Sequence, residues 1–124
     1  MGTGYLLDTN VILDFMGKKL PAKSQLFLSK IIDDQINISA INKIELFGFS
    51  FVEQTLIDFV SFAEVYPIND QTIDMTIDLR KKYKIKLPDA IIAATAIVHH
   101  FMLITSDAGF NNIRHLQILN PFDV

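Results

Sequence analysis

Short apolar runs separated by longer segments of helical spacing recur along the whole chain, and this alternation constrains the fold more than any other feature. Tyr5–Leu7 reads as a short buried strand. A helix is expected over residues 10–16, ended by Gly17. Another spans residues 22–33, where Leu26, Phe27 and Ile31 recur at helical spacing. Residues 36–39 read as strand, and residues 41–51 as helix with Gly48 as a weak point. Residues 53–62 form a further helix around Leu56, Ile57, Phe59 and Val60. Residues 65–68 read as a strand that Pro67 confines to an edge or an end. Asn69 or Asp70 can cap the next helix, which carries Ile73, Ile77 and Leu79. Pro88 suits the first turn of a helix running to about His99. Residues 102–105 and 116–119 are strands. Strands that alternate with helices in this way imply an α/β fold with a parallel sheet.

The chain has 124 residues, which favours one compact domain over residues 1–124. Half of the residues are hydrophobic, enough for a core without covalent staples. Cysteine is absent, so disulfides and thiolate metal sites are excluded, and a cytoplasmic location is compatible. No apolar stretch approaches the roughly 20 residues of a membrane span. The N-terminus lacks a basic segment leading into a long apolar run, and residues 1–4 read as a loose leader. The formal net charge of −3 does not suggest a protein held on nucleic acid by bulk charge. The local exception is Arg80-Lys81-Lys82-Tyr83-Lys84-Ile85-Lys86. By itself that segment suits a solvated helix end, where cations complement the dipole, and its position directly before Asp89 raises the reading of a phosphate contact.

Four acids stand at strand ends or in the first turns of helices: Asp8, Glu45, Asp89 and Asp107. In an open α/β sheet the strand ends surround a shared crevice, so acids distant in sequence can meet there. Clustered carboxylates repel one another and need protons or a divalent cation to coexist. The pattern therefore points to metal-dependent chemistry. Thr9 and Asn10 beside Asp8, and Thr105 and Ser106 beside Asp107, supply hydroxyls and an amide that can hold a carboxylate or a bound water.

Each acid alone has a structural explanation. Asp8 can cap the helix that follows it. Asn42-x-x-Glu45 has the spacing of a capping box. Asp89 suits the positive end of a helix dipole, and Asp107 suits an Asx-type turn. Capping explains four such positions together less readily. Asp14 is a candidate partner of the site, whereas Asp33, Asp34, Asp58, Asp70, Asp74 and Asp78 fit polar helix ends or faces. His99 and His100 are adjacent, so on a helix they point about 100° apart and do not pair on a metal. Both read as residues of a helix end near the surface, and His115 suggests no mechanism. Phe47, Phe49, Phe51, Phe59 and Phe62 exceed what one helical face needs and are expected chiefly in the core.

At these residues the chain resembles the PIN-domain family, in particular the VapC-type toxin ribonucleases of type II toxin–antitoxin systems. The segments that carry the resemblance are Leu6-Leu7-Asp8-Thr9-Asn10-Val11-Ile12, Ile44-Glu45-Leu46, Pro88-Asp89-Ala90-Ile91-Ile92-Ala93-Ala94-Thr95-Ala96 and Ile104-Thr105-Ser106-Asp107. The resemblance implies a three-layer α/β/α sandwich with a mostly parallel central sheet. It implies Mg²⁺ or Mn²⁺ held by Asp8, Glu45, Asp89 and Asp107, and hydrolysis of RNA phosphodiesters. It also implies a homodimer silenced by a small antitoxin. One departure stands out: many relatives carry a further acid where this chain has Gly109, before Phe110. The fourth acidic role then falls to Asp107.

Three other readings compete. A haloacid-dehalogenase phosphatase needs a second aspartate two residues after Asp8, where this chain has Asn10. A response-regulator receiver needs an early acidic pair and a late lysine after a strand, and neither is evident. A PIN-like module that binds RNA or protein without turnover is the non-enzyme alternative.

Overall fold

The computed structural model describes residues 4–124, so the leader reading is open only at Gly4. Gly4 is tied down: its carbonyl accepts a hydrogen bond from the Met102 N–H at 2.9 Å. Residues 1–3 lie outside the described residues. The elements run β1 (Tyr5–Leu7), α1 (Thr9–Met16), α2 (Ala22–Asp34), β2 (Asn37–Ser39), α3 (Ala40–Phe47), α4 (Gln54–Ser61) and β3 (Glu64–Tyr66). They continue α5 (Asp70–Lys82), α6 (Leu87–Val98), β4 (Met102–Ile104) and β5 (Ile118–Leu119). Short 3-10 turns occupy Ala108–Phe110 and Pro121–Asp123.

Among the described residues all strand pairing is parallel, in the ladders β1–β4–β5 and β2–β3. β2 lies beside β1, giving the spatial order β3-β2-β1-β4-β5. The two ladders do not merge into one. The Asn37 side-chain amide donates to the Tyr5 carbonyl at 3.0 Å, bridging the seam that a backbone ladder would otherwise fill. Among the described residues β3 pairs only with β2, and it stops before Pro67, so the proline sits at an edge as expected.

Side chains alternate across each strand and so sort the core into two layers. Leu7, Ile38 and Ile104 face a cluster completed by Val11, Ile12, Leu28, Leu46 and Val60, from α1 to α4. Leu6 and Leu103 point the other way, into a cluster with Leu79, Ile92, Ala93, Ala96 and Phe110. Helices therefore cover both faces of the parallel strands, which is the expected α/β/α arrangement. The alanines of α6 let that helix lie close to the sheet: Ala90, Ala93, Ala94 and Ala96 are all fully buried.

Two local expectations fail. α3 ends at Phe47, with Gly48 as its C-cap, and does not reach residue 51. Glycine weakens the helix there, and no buried face extends it, because Phe49 and Phe51 are 55% and 78% exposed. The phenylalanine cluster also divides. Phe47 and Phe59 pack against the core, whereas Phe49, Phe51 and Phe62 face outward.

These burial differences set the cost of truncation. Phe110→Ala removes a fully buried ring and should cost about 3–5 kcal/mol of stability. Phe62→Ala, at a ring 79% exposed, should change stability by no more than about 0.5 kcal/mol. Urea unfolding of both variants checks this, and equal losses would contradict the assigned core.

Candidate functional site

The strand order reverses at β1. The chain leaves it toward β2 on one side and returns to β4 on the other. Such a switch point opens a crevice at the carboxyl ends of the strands. Asp8 follows β1 and Asp107 comes shortly after β4, both at that crevice. α3 brings Glu45 and the first turn of α6 brings Asp89. All four acids line one open cleft of about 400 Å³, together with Thr9, Asn10, Lys86 and Pro88.

Asp8 is 6% exposed. It is the N-cap of α1 and accepts from the Thr9 N–H at 2.9 Å. Its other oxygen accepts from Thr105 Oγ1 at 2.7 Å. The capping and site roles thus coexist in one residue. Burial pushes the Asp8 carboxyl above the usual aspartate range. The Thr105 hydroxyl and Thr9 N–H oppose that shift, and the charges of Glu45 and Asp89 add to it.

Glu45 is exposed and takes a hydrogen bond from Thr9 Oγ1 at 2.7 Å. It has no part in a capping box. α3 starts at Ala40 with Ser39 as N-cap, so the third helical position is Asn42. Ser39 and Asn42 form the box, and Glu45 lies a further turn along. Asp89 is half-buried, and burial raises its pKa first of all. The charges of Asp107 and Glu45 raise it further, against the pull of Lys86. Asp107 is exposed and accepts from the Gly109 N–H at 2.8 Å, the Asx-type turn expected of it. Its own N–H donates to Thr105 Oγ1 at 3.1 Å.

Thr9 and Thr105 therefore hold carboxylates, as their positions suggested. Asn10 lines the cleft but makes no hydrogen bond to the acids among the described residues. Ser106 is half-buried and likewise makes none. Asp14 does not line the cleft. His99 is the half-buried C-cap of α6, at the helix end expected of it, with its ring 4.5 Å from that of Tyr66 and stacked on Phe101 at 5.8 Å. His100 and His115 both adopt positive φ and line a different cavity.

The residue that sequence reasoning missed is Asn42. It is fully buried and donates from Nδ2 to Thr9 Oγ1 at 3.0 Å, with Asp8 Oδ1 at 3.5 Å. The signal was available in Ser39-x-x-Asn42, a capping spacing one turn earlier than the one considered.

The donors around the cleft are carboxylates, hydroxyls and amides, a set that suits a hard divalent cation. Among the described residues, the ion pair is Lys82–Asp78, outside the cleft. The acids are left with mutual repulsion, which a cation relieves. Among the described residues, no three of them yet stand close enough to enclose an ion.

The PIN domain family model matches residues 5–116. The chain belongs to the PIN-domain family. Solved structures agree with that assignment. The PIN domain described here is similar to a chain of a toxin–antitoxin complex from Klebsiella pneumoniae, with 28% identity and a TM-score of 0.76, covering 98% of this chain and 100% of that one. It is similar to a chain of VapBC2 from Rickettsia felis bound to a promoter DNA fragment, with 26% identity and a TM-score of 0.76 over 94% and 97% of the two chains. A chain of VapBC-1 from nontypeable Haemophilus influenzae gives 26% identity and a TM-score of 0.75 over 94% and 97%. No curated protein matches the chain. No helix among the described residues of this PIN domain is long and apolar enough to cross a membrane.

Because the pKa of Asp8 is raised on folding, the native state holds more protons than the unfolded chain between the ordinary and raised values. Stability of the metal-free protein should therefore fall as pH rises through that window. Asp8→Asn keeps the shape and removes the buried charge. In thermal melts with a chelator it should melt above the wild type at neutral pH, and the gap should close in acid. A wild type that melts higher at neutral pH would contradict the account.

Proposed function

We propose that this PIN domain is a metal-dependent endoribonuclease that hydrolyses RNA phosphodiesters, and that it is the toxin of a toxin–antitoxin pair. The observation that carries the reading is the convergence of Asp8, Glu45, Asp89 and Asp107 on one cleft at the strand switch point. The likeness to chains of toxin–antitoxin complexes supports the toxin role and a small antitoxin as partner. Residues 1–124 act as one nuclease unit and pair as a homodimer in this reading.

Asp8, Glu45, Asp89 and Asp107 would hold Mg²⁺ or Mn²⁺. When bound, such an ion offsets phosphate charge and acidifies a water nucleophile. The chain's own groups do the rest. Thr105 and the Thr9 N–H fix both oxygens of Asp8, while the Thr9 hydroxyl fixes one oxygen of Glu45. Carboxylates held in one geometry would hold such an ion, and the phosphate it meets, in one orientation. Lys86 borders the cleft and offers a cation to the RNA backbone. Lys82 and Lys84 are exposed nearby in sequence and extend the basic track. Lys18, Lys19 and Lys23 are further candidate contacts. Phe49 lines the cleft and also an adjoining apolar hollow with Phe51, Leu13, Met16 and Leu56. An antitoxin segment that blocks the cleft would find its apolar anchor there.

A second reading has one observation in its favour. The acids are not drawn together into a ready-made ion cage, which suits a PIN-like binding module with a weak metal site. Turnover separates the two. Labelled structured RNAs incubated with Mg²⁺ or Mn²⁺ should be cleaved by the wild type and not in EDTA. Asp8→Asn and Asp89→Asn should each lose about 10²-fold or more in rate, the order expected when a metal site is broken. Undiminished cleavage by either variant would sink the mechanism. A wild type that binds Mn²⁺ and RNA but leaves a broad panel of RNAs intact would favour the binding module.

A further inference from the structure

We propose that Asn42 is a positioning residue of the metal site, acting through the Thr9 hydroxyl to hold Glu45 toward the cleft. This inference rests on the metal-dependent reading above. Asn42 is 0% exposed, an unusual place for an amide unless each polar atom is satisfied. Its Oδ1 accepts from the Ser39 N–H at 2.9 Å and from Ser39 Oγ at 3.0 Å. A backbone N–H can only donate, so this contact decides which end of the amide is oxygen. Nδ2 is thereby turned to the site, where Thr9 Oγ1 lies at 3.0 Å.

The consequence follows from counting protons. A threonine hydroxyl has one to give. Thr9 Oγ1 accepts from Asn42, so its own proton is directed elsewhere, to Glu45 Oε1 at 2.7 Å. Thr105 is arranged in the same way. It accepts from the Asp107 N–H at 3.1 Å and gives its proton to Asp8 Oδ2 at 2.7 Å. Both hydroxyls are thus polarised by an obligate donor behind them and aimed at a carboxylate in front. Helix capping accounts for Oδ1 of Asn42 but not for Nδ2. Glutamine or glutamate at this third helical position would serve a capping box as well. Asparagine has the shorter arm, and here that arm ends at Thr9. Glu45 is exposed and Thr9 is its hydrogen-bond partner among the described residues, so this relay is what restrains it.

The test is Mn²⁺ affinity of the RNA-free protein, read by calorimetry or by the electron paramagnetic resonance of free Mn²⁺. The variants are Asn42→Gln, Asn42→Ala, Thr9→Val, the double variant Asn42→Ala with Thr9→Val, and Asp8→Asn as reference. Asn42→Gln retains a capping side chain, so it keeps the test available if Asn42→Ala does not fold. Asn42→Gln and Thr9→Val should each weaken Mn²⁺ binding about 10-fold, as loss of a group behind a metal ligand does. The double variant should lose clearly less than the two single losses combined, because Asn42 acts chiefly through Thr9, its longer 3.5 Å contact to Asp8 Oδ1 aside. Wild-type affinity in folded Asn42→Gln, or losses that add in the double variant, would overturn the proposal while Asp8→Asn still weakens binding. Affinity that Asp8→Asn leaves unchanged would overturn the metal-site reading and this inference together.

Discussion

Four carboxylates facing one cleft repel each other, and much of the local structure serves to hold them in place against that repulsion. The cost is greatest at Asp8, which is almost wholly buried beside the charges of Glu45 and Asp89. A lone buried carboxylate would simply take up a proton. Here it is met by the Thr9 N–H and the Thr105 hydroxyl, which favour the charged form. Burial and like charges win over those contacts, so the pKa of the site remains raised. Asp89 repeats the pattern at a half-buried position, with Lys86 as the opposing cation. The arrangement favours a proton or, in the proposed function, a divalent ion, and stability, pH and metal binding would then be linked in one site.

The fold makes this concentration of charge possible. Parallel strands send all their carboxyl ends to one side, and the reversal of strand order at β1 opens a gap between the following segments. The core beneath is apolar on both faces of the sheet, with Leu6 and Leu7 pointing into opposite layers. α6 lies against one layer through its alanines, which fixes Asp89 at its start. Glu45 and Asp89 therefore sit on helices and Asp8 caps one, whereas Asp107 is held by an Asx-type turn in the connection after β4.

Much of this was legible in the sequence because it is written in local periodicity. The alternation of apolar runs with helical spacing marks every strand and helix. The placing of Asp8, Glu45, Asp89 and Asp107 at their ends follows from the same pattern. What stayed hidden depends on contacts between distant residues. The partner of Glu45 is Thr9, which lies 36 positions away, and no local spacing announces that contact. The Asn42-x-x-Glu45 spacing suggested a capping box one turn too late, because the strand before α3 ends at Ser39 and the helix begins at once. The seam between β1 and β2 rests on one asparagine side chain, which alternation cannot reveal. Phe49 and Phe51 face outward because α3 reaches only as far as Gly48 and the surface beyond has no covering element among the described residues, and Phe62 faces outward at the C-cap of α4. His99 stands at the helix end expected of it, but its packing against Tyr66 and Phe101, from other parts of the chain, is not written in local spacing.

The central claim is that these four acids form one divalent-cation site, and diffraction from crystals grown with Mn²⁺ tests it most directly. Data collected at the manganese absorption edge locate the ion without reference to activity. The account predicts an anomalous peak in the cleft within coordinating reach of Asp8 and Asp89, with Glu45 and Asp107 turned toward it. A fully occupied peak elsewhere, or an empty cleft at Mn²⁺ concentrations that saturate binding in solution, would contradict it.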